Sequence, residues 1–140
     1  MLSSKKLTGG KEMKGILYFD GAAKGNPGPA GIGYVLIIEK RKYTHSKAVG
    51  EKTNNQAEYL ALIEGMKKAK ELGVKELVVK GDSQLVIRQM EGKFKVKNAN
   101  VKPLFKEAKE LENYFEKVTY EWIPRKENKE ADALANLEIE

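Results

Sequence analysis

Residues 15–49 read GILYFDGAAKGNPGPAGIGYVLIIEKRKYTHSKAV, and their alternation of apolar runs with turn residues sets the first part of the topology. The apolar, β-branched and aromatic runs predict three strands, at Gly15–Asp20, Ala30–Glu39 and Tyr43–Val49. Glycine and proline fill the connection at 21–29, while the charged connection at 40–42 is short enough for a tight turn. An antiparallel meander of three strands is therefore expected.

Helical and extended patterns alternate through the rest of the chain. Thr53, Asn54 and Asn55 offer capping side chains to a helix whose apolar stripe ends before Gly73. The further predicted elements are a strand at Glu76–Lys80, a short helix closed by Gly92, a helix over Val101–Phe115, a strand at Val118–Trp122 and a helix from Asn128. The order βββαβααβα predicts an α/β fold with one five-stranded mixed sheet, three antiparallel strands and then two parallel ones, flanked by helices.

Composition excludes several classes of site. The chain has 140 residues, the size of one domain, with 41% apolar and 33% charged residues. It contains no cysteine and one histidine, His45, which excludes disulfides, thiolate chemistry and two-histidine metal motifs. His45 falls on the third predicted strand and is interpreted as a surface residue. No apolar run approaches the roughly 20 residues of a membrane span and no secretory signal is recognisable, so a cytoplasmic location is expected.

The net charge of +6 is unevenly distributed. Residues 1–14 carry four lysines against one glutamate, with few apolar residues and a glycine pair. We interpret residues 1–14 as a flexible basic tail and residues 15–140 as the folded domain. The tail is either an addition ahead of a natural start at Met13 or a weak nucleic-acid arm. We favour a tail without a role, because short basic tails are common.

A second basic segment lies inside the domain, where lysines are interleaved with apolar side chains and meet no acid: Lys93, Lys95, Lys97 and Lys102. A basic loop that also holds an aromatic residue, here Phe94, suits a phosphate backbone. Taken alone, such a segment is more often an ordinary solvated loop. The excess of positive charge over the whole chain nevertheless favours a polyanionic partner.

Four acids stand at the ends of predicted elements: Asp20, Glu58, Asp82 and Asp132. Asp20 ends a buried strand, Asp82 follows the strand that we expect to be its parallel neighbour, and the other two lie near helix starts. Because ligands bind at the carboxyl ends of strands in open α/β sheets, the four side chains are expected to converge. Oxygen ligands without cysteine or histidine select hard cations, so the cluster predicts Mg²⁺ or Mn²⁺.

Each acid alone also has an ordinary structural explanation. Asp82 is placed to cap a helix, while Glu58 and Asp132 are placed to complement a helix macrodipole. Asp20 is the hardest to explain in this way, since an ionised carboxylate at the end of a buried strand is costly without compensation. A purely structural interpretation needs four coincidences, and we favour a metal site.

Four segments together resemble type 1 ribonuclease H, in the order and at the spacings of that family. They are Tyr18-Phe19-Asp20-Gly21-Ala22 with Gly25-Asn26-Pro27-Gly28, Thr53-Asn54-Asn55-Gln56-Ala57-Glu58-Tyr59, Gly81-Asp82-Ser83-Gln84-Leu85-Val86, and Trp122-Ile123-Pro124-Arg125 with Asn128-Lys129-Glu130-Ala131-Asp132. The resemblance covers residues 15–138 and is specific as a set, although any one segment is a weak signal.

The resemblance implies hydrolysis of the RNA strand of an RNA/DNA hybrid, leaving a 3′-hydroxyl and a 5′-phosphate. It implies that Asp20, Glu58, Asp82 and Asp132 are catalytic carboxylates. They would hold two Mg²⁺ ions, which Mn²⁺ can replace, in two-metal phosphodiester hydrolysis. Asp20 would bridge both ions. The implied partner is the RNA/DNA hybrid, and a monomer without membrane attachment is expected.

The resemblance also implies a set of substrate contacts, at Gly21, Ala22, Asn26, Thr53, Asn55, Gln84, Lys93, Lys95 and Arg125. The two small residues would present backbone where a larger side chain would obstruct RNA. The neutral amides would read 2′-hydroxyls and minor-groove edges, which distinguishes RNA from DNA. Thr53 with Asn26 would hold a DNA-strand phosphate. Ser83 and Asn54 are interpreted instead as cap and turn residues.

Two departures from the family bear on function. The loop before Asp132 lacks the histidine of many bacterial members, and Arg125 is expected to replace part of its role, as in archaeal-type members. The extended basic handle of some members is missing between Gly92 and Val101. Two alternatives stay open, a hybrid-binding module with weak catalysis and a different nuclease on the same fold, such as a Holliday-junction resolvase or an integrase type.

Overall fold

The computed structural model of the chain describes residues 13–140. The predicted tail therefore lies outside the described residues, except for its last two. The carbonyl of Met13 accepts hydrogen bonds from the backbone N–H groups of Lys75 and Glu76, at 2.8 and 3.1 Å. The first strand begins at Lys14, one residue before the predicted start. These two residues thus belong to the domain, and the rest of the tail stays a prediction.

The described chain forms one five-stranded sheet. Its strands are β1 (Lys14–Ala23), β2 (Gly28–Ile38), β3 (Arg41–Lys52), β4 (Glu76–Gly81) and β5 (Lys117–Trp122), in the order β3-β2-β1-β4-β5. The β1/β2 and β2/β3 pairs are antiparallel, and the β1/β4 and β4/β5 pairs are parallel. The predicted mixed sheet is confirmed, including the change of direction between its two halves.

The first two strands extend into the segment that was expected to be a loop. Residues 21–23 continue the pairing with β2, where Ala22 lies opposite Gly31 and Ala23 opposite Ala30. Glycine and alanine give no strand signal of their own, because they offer little side-chain packing. The backbone hydrogen bonds of a neighbouring strand decide the conformation here.

Within residues 13–140, four helices accompany the sheet, α1 (Asn54–Glu71), α2 (Gln84–Met90), α3 (Lys102–Leu111) and α4 (Lys129–Leu137), with 3₁₀ turns at Glu112–Tyr114 and Arg125–Glu127. The helix predicted to run to Phe115 ends at Leu111 and tightens into the first of these turns. The apolar spacing continues past the helix end because Phe115 still reaches the core.

Local capping explains where the two helices beside the carboxylates begin. The Thr53 hydroxyl accepts a hydrogen bond from the N–H of Gln56 at 3.1 Å, and the Gln56 side chain accepts one from the N–H of Thr53 at 2.9 Å. This reciprocal pair is a capping box. Ser83 caps α2 by accepting from the N–H of Val86 at 3.2 Å, which confirms the cap role expected for it. Ser83, and not Asp82, is therefore the N-cap residue of α2.

The two faces of the sheet carry different layers. Alternate residues of β1 and β2, among them Leu17 and Leu36, join α1 in the main apolar core. Gly33 points to the other face, where an added Cβ would lie 2.5 Å from the backbone nitrogen of Ala135, so only glycine lets α4 approach the sheet this closely.

The lone histidine, His45 on the edge strand β3, is half-buried with its ring 5.4 Å from that of Tyr34. Among residues 13–140, no helix has the length and apolar character needed to cross a membrane.

Candidate active site

A polar cavity of about 360 Å³ opens where the parallel strands β1 and β4 end. All four predicted carboxylates line it, together with Gly21, Ala22, Ala23, Asn54, Arg125 and Asn136. We call this cavity the acidic cleft. The chain has only three aspartates, and all three line this cleft.

Three of the carboxylates form a close group inside the acidic cleft. One oxygen from each of Asp20, Glu58 and Asp82 lies within 4.8 Å of the others. Asp132 lines the same cleft from the first turn of α4, outside that close group. Its Oδ1 lies 3.6 Å from the Arg125 guanidinium and accepts a hydrogen bond from Asn136 Nδ2 at 3.2 Å. The convergence expected from sequence is therefore confirmed, with Asp132 slightly apart.

The close approach of these acids changes their protonation. The pKa of Asp20 rises from 3.8 to about 8, chiefly because the carboxyl is buried and then because the negative charges of Asp82 and Asp132 are close to it. Burial, and then the charges of Asp20 and Asp82, also hold the pKa of Glu58 well above its usual range. The protein alone therefore does not keep the whole group ionised near neutral pH.

A divalent cation fits this donor set. The group offers only carboxylate oxygens, which suit hard cations such as Mg²⁺, Mn²⁺ and Ca²⁺. Positive charge between the acids would also relieve the repulsion that raises the pKa of Asp20 and Glu58. Asp20, Glu58 and Asp82 are the residues that would hold it most directly.

Gly21 joins the carboxylates to the backbone of α1. Its N–H lies 3.0 Å from Asp20 Oδ1 and 3.1 Å from Glu58 Oε1, so it donates to both acids. A Cβ at this position would lie 2.2 Å from the carbonyl carbon of Ala57 and 2.4 Å from the nitrogen of Glu58. The space that a side chain would need is therefore filled by α1. This close approach by α1 is a structural reason for the glycine, and a contact between Gly21 and RNA stays a prediction.

We expect Gly21→Ala to lower the free energy of unfolding by about 3 kcal/mol, because the added methyl group meets backbone atoms that cannot rotate away. Urea denaturation in EDTA measures the loss. Gly50→Ala is the control, since its added methyl meets no atom within 4 Å and only its φ of 79° is strained. A loss at Gly21 no larger than at Gly50 would contradict the steric explanation.

The other predicted contact residues fall into two groups, of which one adjoins the acidic cleft. Ala22 and Arg125 line the cleft. Asn26 accepts a hydrogen bond from the N–H of Asn54 at 2.9 Å, which ties the β1–β2 connection to the start of α1. Thr53 and Asn55 flank Asn54 in sequence, and Gln84 is exposed two residues after Asp82.

Lys93 and Lys95 form the second group and do not line the acidic cleft. They follow the far end of α2, where Lys93 Nζ lies 3.4 Å from Glu91. Lys95 lines a separate apolar groove of about 730 Å³ with Phe94 and Phe105. Only a ligand that extends along α2 can reach both these lysines and the carboxylates.

Three asparagines around the acids were not identified as site residues from the sequence. Asn54 Oδ1 accepts from the N–H of Ala23 at 3.1 Å, Asn136 donates to Asp132, and Asn128 Nδ2 donates to Asp82 Oδ2 at 3.1 Å. The sequence does contain a pattern that indicates them, because each asparagine stands four residues from one of the four acids, on the same helix or at its cap. Residues at that spacing share a helix face.

Comparison with known proteins agrees with this geometry. Residues 18–138 match the family described as reverse transcriptase-like. A ribonuclease H from Legionella pneumophila is 35% identical over 142 residues, covering 91% of this chain and 98% of the relative. The chain belongs to the ribonuclease H family. A bifunctional protein of Mycobacterium tuberculosis is 42% identical over 127 residues, but these are 89% of this chain and 35% of that protein. The chain thus spans about a third of the length of that relative.

Solved ribonuclease H structures share the fold. RNase H1 from the halophilic archaeon Halobacterium salinarum superposes with a TM-score of 0.86 at 38% identity, covering 90% of this chain and 97% of that one. LC11-RNase H1, isolated from compost and solved in complex with an RNA/DNA hybrid, gives a TM-score of 0.82 at 38% identity, covering 88% and 94%. The resemblance to type 1 ribonuclease H, including its archaeal members, is confirmed.

Proposed function

We propose that this domain is an endonuclease that hydrolyses the RNA strand of RNA/DNA hybrids. The observation that carries the proposal is the acidic cleft, where four carboxylates from β1, α1, the connection after β4 and α4 face one cavity. The hybrid bound to the similar LC11 enzyme supports the choice of substrate. In the proposed reaction, water attacks phosphorus and the P–O3′ bond breaks, leaving a 5′-phosphate and a 3′-hydroxyl.

Two Mg²⁺ ions are the proposed cofactors, with Mn²⁺ as a substitute. Asp20, Glu58 and Asp82 would be the principal ligands, and Asp132 would complete the site. When bound, such ions activate a water molecule and stabilise the charge that develops on the leaving oxygen. Because the pKa of Asp20 is about 8 without metal, binding near neutral pH releases a proton from this group.

The chain's own groups prepare this site before substrate arrives. The Gly21 N–H orients Asp20 and Glu58 through its hydrogen bonds to both. The Arg125 guanidinium is largely exposed beside Asp132, where it places a positive charge at the mouth of the cleft. We propose that Arg125 attracts the scissile phosphate and takes over part of the role of the missing loop histidine.

The substrate contacts follow the same reasoning. Asn26 and Asn55 adjoin Asn54 of the cleft, and Gln84 follows Asp82 by two residues; all three carry neutral amides, which can both donate to and accept from 2′-hydroxyls. The Thr53 hydroxyl accepts the capping bond, and its proton is still available for a DNA-strand phosphate. Gly21 and Ala22 would offer backbone to the RNA strand. Lys93 and Lys95 would meet the DNA strand farther along α2.

The test is cleavage of an end-labelled RNA strand presented as RNA/DNA hybrid, RNA duplex and single strand. We expect cleavage of the hybrid with Mg²⁺ or Mn²⁺ and none with EDTA. Asp82→Asn should lower the rate by about 10³-fold, since it removes a metal ligand whose ion contributes several kcal/mol to the transition state. Glu110→Gln, which changes an exposed acid on α3, is the matched control and should retain the wild-type rate.

Each other outcome selects an alternative. Metal-independent binding of the hybrid without cleavage would favour a binding module, and cleavage of every substrate would favour a different nuclease. Cleavage unaffected by Asp82→Asn would indicate a contaminant. A monomer and a cytoplasmic location stay predictions, and the first is checked by light scattering.

A further inference from the structure

Asn128 occupies an unusual position among the carboxylates. It lies in the connection between β5 and α4 and is buried, with 2% of its surface exposed. Its side-chain Nδ2 donates to the backbone carbonyl of Phe19 at 3.0 Å and to Asp82 Oδ2 at 3.1 Å. Its own carbonyl accepts from the N–H of Asp132 at 3.0 Å. One residue thus contacts the strand position before Asp20, the carboxylate of Asp82 and the backbone of Asp132.

The orientation of the Asn128 amide is determined by its two acceptors. Turning the amide over would place its oxygen against the Phe19 carbonyl and the Asp82 carboxylate, which are both acceptors. In the observed orientation, Oδ1 is buried and finds no hydrogen-bond partner among residues 13–140. An unsatisfied buried acceptor lowers stability. The fold retains it in order to present both N–H groups, which points to a role beyond packing.

Two neighbouring contacts, from the end of β5 and the residue after it, hold only the backbone at Gly81 and Asp82. The Trp122 indole N–H donates to the Asp82 carbonyl at 3.2 Å, and the Ile123 N–H donates to the Gly81 carbonyl at 2.9 Å. Of these three hydrogen bonds, the one from Asn128 reaches the Asp82 carboxylate itself. Without it, the Asp82 side chain would be free to rotate about χ1 and χ2 away from Asp20 and Glu58.

We propose that Asn128 is a positioning residue, which sets the Asp82 carboxylate relative to Asp20 and Asp132 so that the cleft is arranged for a divalent cation before the cation binds. The kinetic part of this inference rests on the proposed function, while the metal-binding part does not. Neighbours that orient metal ligands contribute about 10- to 100-fold to metal affinity or activity.

The test is Mn²⁺ binding to Asn128→Ala, measured by isothermal titration calorimetry and by electron paramagnetic resonance of free Mn²⁺. We expect the dissociation constant to rise about 10-fold. In hybrid cleavage, the Mn²⁺ concentration at half-maximal rate should rise by a similar factor, with the KM for hybrid within about twofold of wild type. A role in folding alone would leave the metal dependence unchanged.

Ser46→Ala is the matched control. The Ser46 hydroxyl donates to the Leu134 carbonyl, so the variant removes one hydrogen bond that holds α4 without touching a carboxylate. It should bind Mn²⁺ like wild type. An Asn128→Ala protein that is folded by circular dichroism and binds Mn²⁺ with wild-type affinity would overturn the proposal.

A second variant covers the case in which Asn128→Ala does not fold. Asn128→Leu keeps most of the side-chain volume but has no donor, and we expect its Mn²⁺ affinity to fall by a factor similar to that in the alanine variant. Wild-type affinity in folded Asn128→Leu would equally overturn the proposal. Absence of hybrid cleavage by the wild-type protein would reject the proposed function instead, because the Mn²⁺ titrations need no nucleic acid.

Discussion

Replacing Asp20 with asparagine is expected to abolish hybrid cleavage and, in the same protein, to increase the stability of the metal-free form at pH 8. Cleavage should fall by about 10³-fold or more, because the variant removes a ligand from the centre of the carboxylate group. Stability should rise because the asparagine amide has nearly the same shape without the buried charge. A loss of activity and a gain of stability from one substitution is the signature of a functional site held at a cost to the fold.

The size of the gain follows from the pKa of Asp20. The pKa lies at about 8 in the folded protein and at 3.8 in the reference state, chiefly because the carboxyl is buried and secondarily because Asp82 and Asp132 are close. Each unit of such a shift corresponds to about 1.4 kcal/mol, and the Asp20, Glu58 and Asp82 groups share the repulsion. We therefore expect Asp20→Asn to raise the free energy of unfolding at pH 8 by roughly 2 to 5 kcal/mol.

Urea denaturation in EDTA at pH 8 and pH 5 measures this gain. At pH 5, close to the reference pKa of 3.8, the gain should shrink to about 1 to 2 kcal/mol, because keeping the proton on the folded Asp20 carboxyl costs less there than at pH 8. Glu110→Gln removes an exposed acid and should change stability by less than about 0.5 kcal/mol at either pH. A variant that is less stable than wild type at pH 8, or that still cleaves the hybrid, would contradict this assignment.

The wild-type protein without metal should lose stability as the pH rises from about 4 to about 8. In that window the folded state keeps a proton on Asp20 that the unfolded state has released, because the folded pKa is raised. The folded state therefore binds more protons, and the free energy of unfolding falls with pH. The raised pKa of Glu58 acts in the same direction. The contribution from Asp20 is fully present below about pH 4 and is lost as the pH passes about 8.

Denaturation curves over this pH range in EDTA provide the measurement, and subtracting the profile of Asp20→Asn isolates the site from the surface acids. Adding Mn²⁺ at pH 8 should restore the lost stability, by about 2.7 kcal/mol when its concentration is 100 times the dissociation constant. The same addition should have little effect on Asp20→Asn. The opposite result would be a free energy of unfolding that changes with pH in the same way for wild type and Asp20→Asn in EDTA. It would show that Asp20 is ionised at neutral pH and that its pKa is not raised.

Much of this architecture was predictable from local patterns. The apolar runs of β1 and β2, the capping box at Thr53 and the glycines after α1 and α2 each follow from a few adjacent residues. Parallel pairing of β1 with β4 then placed Asp20 and Asp82 at one edge, because the carboxyl ends of parallel strands meet there. The ordered motifs beside these acids also carried the resemblance to ribonuclease H. The family and the convergence of the four carboxylates could therefore be predicted from the sequence.

Other features of the site depend on contacts between parts of the chain that are distant in sequence. The glycine at 21 is required by α1, 37 residues ahead at Glu58, and the amide of Asn128 reaches back 109 residues to Phe19. The raised pKa values likewise arise from burial and from nearby negative charges, those of Asp82 and Asp132 for Asp20 and those of Asp20 and Asp82 for Glu58. The separation of Lys95 from the acidic cleft depends on where α2 ends in space. Periodicity and capping act over a few residues, whereas burial, electrostatic repulsion and close backbone approach exist only once the sheet and helices have packed.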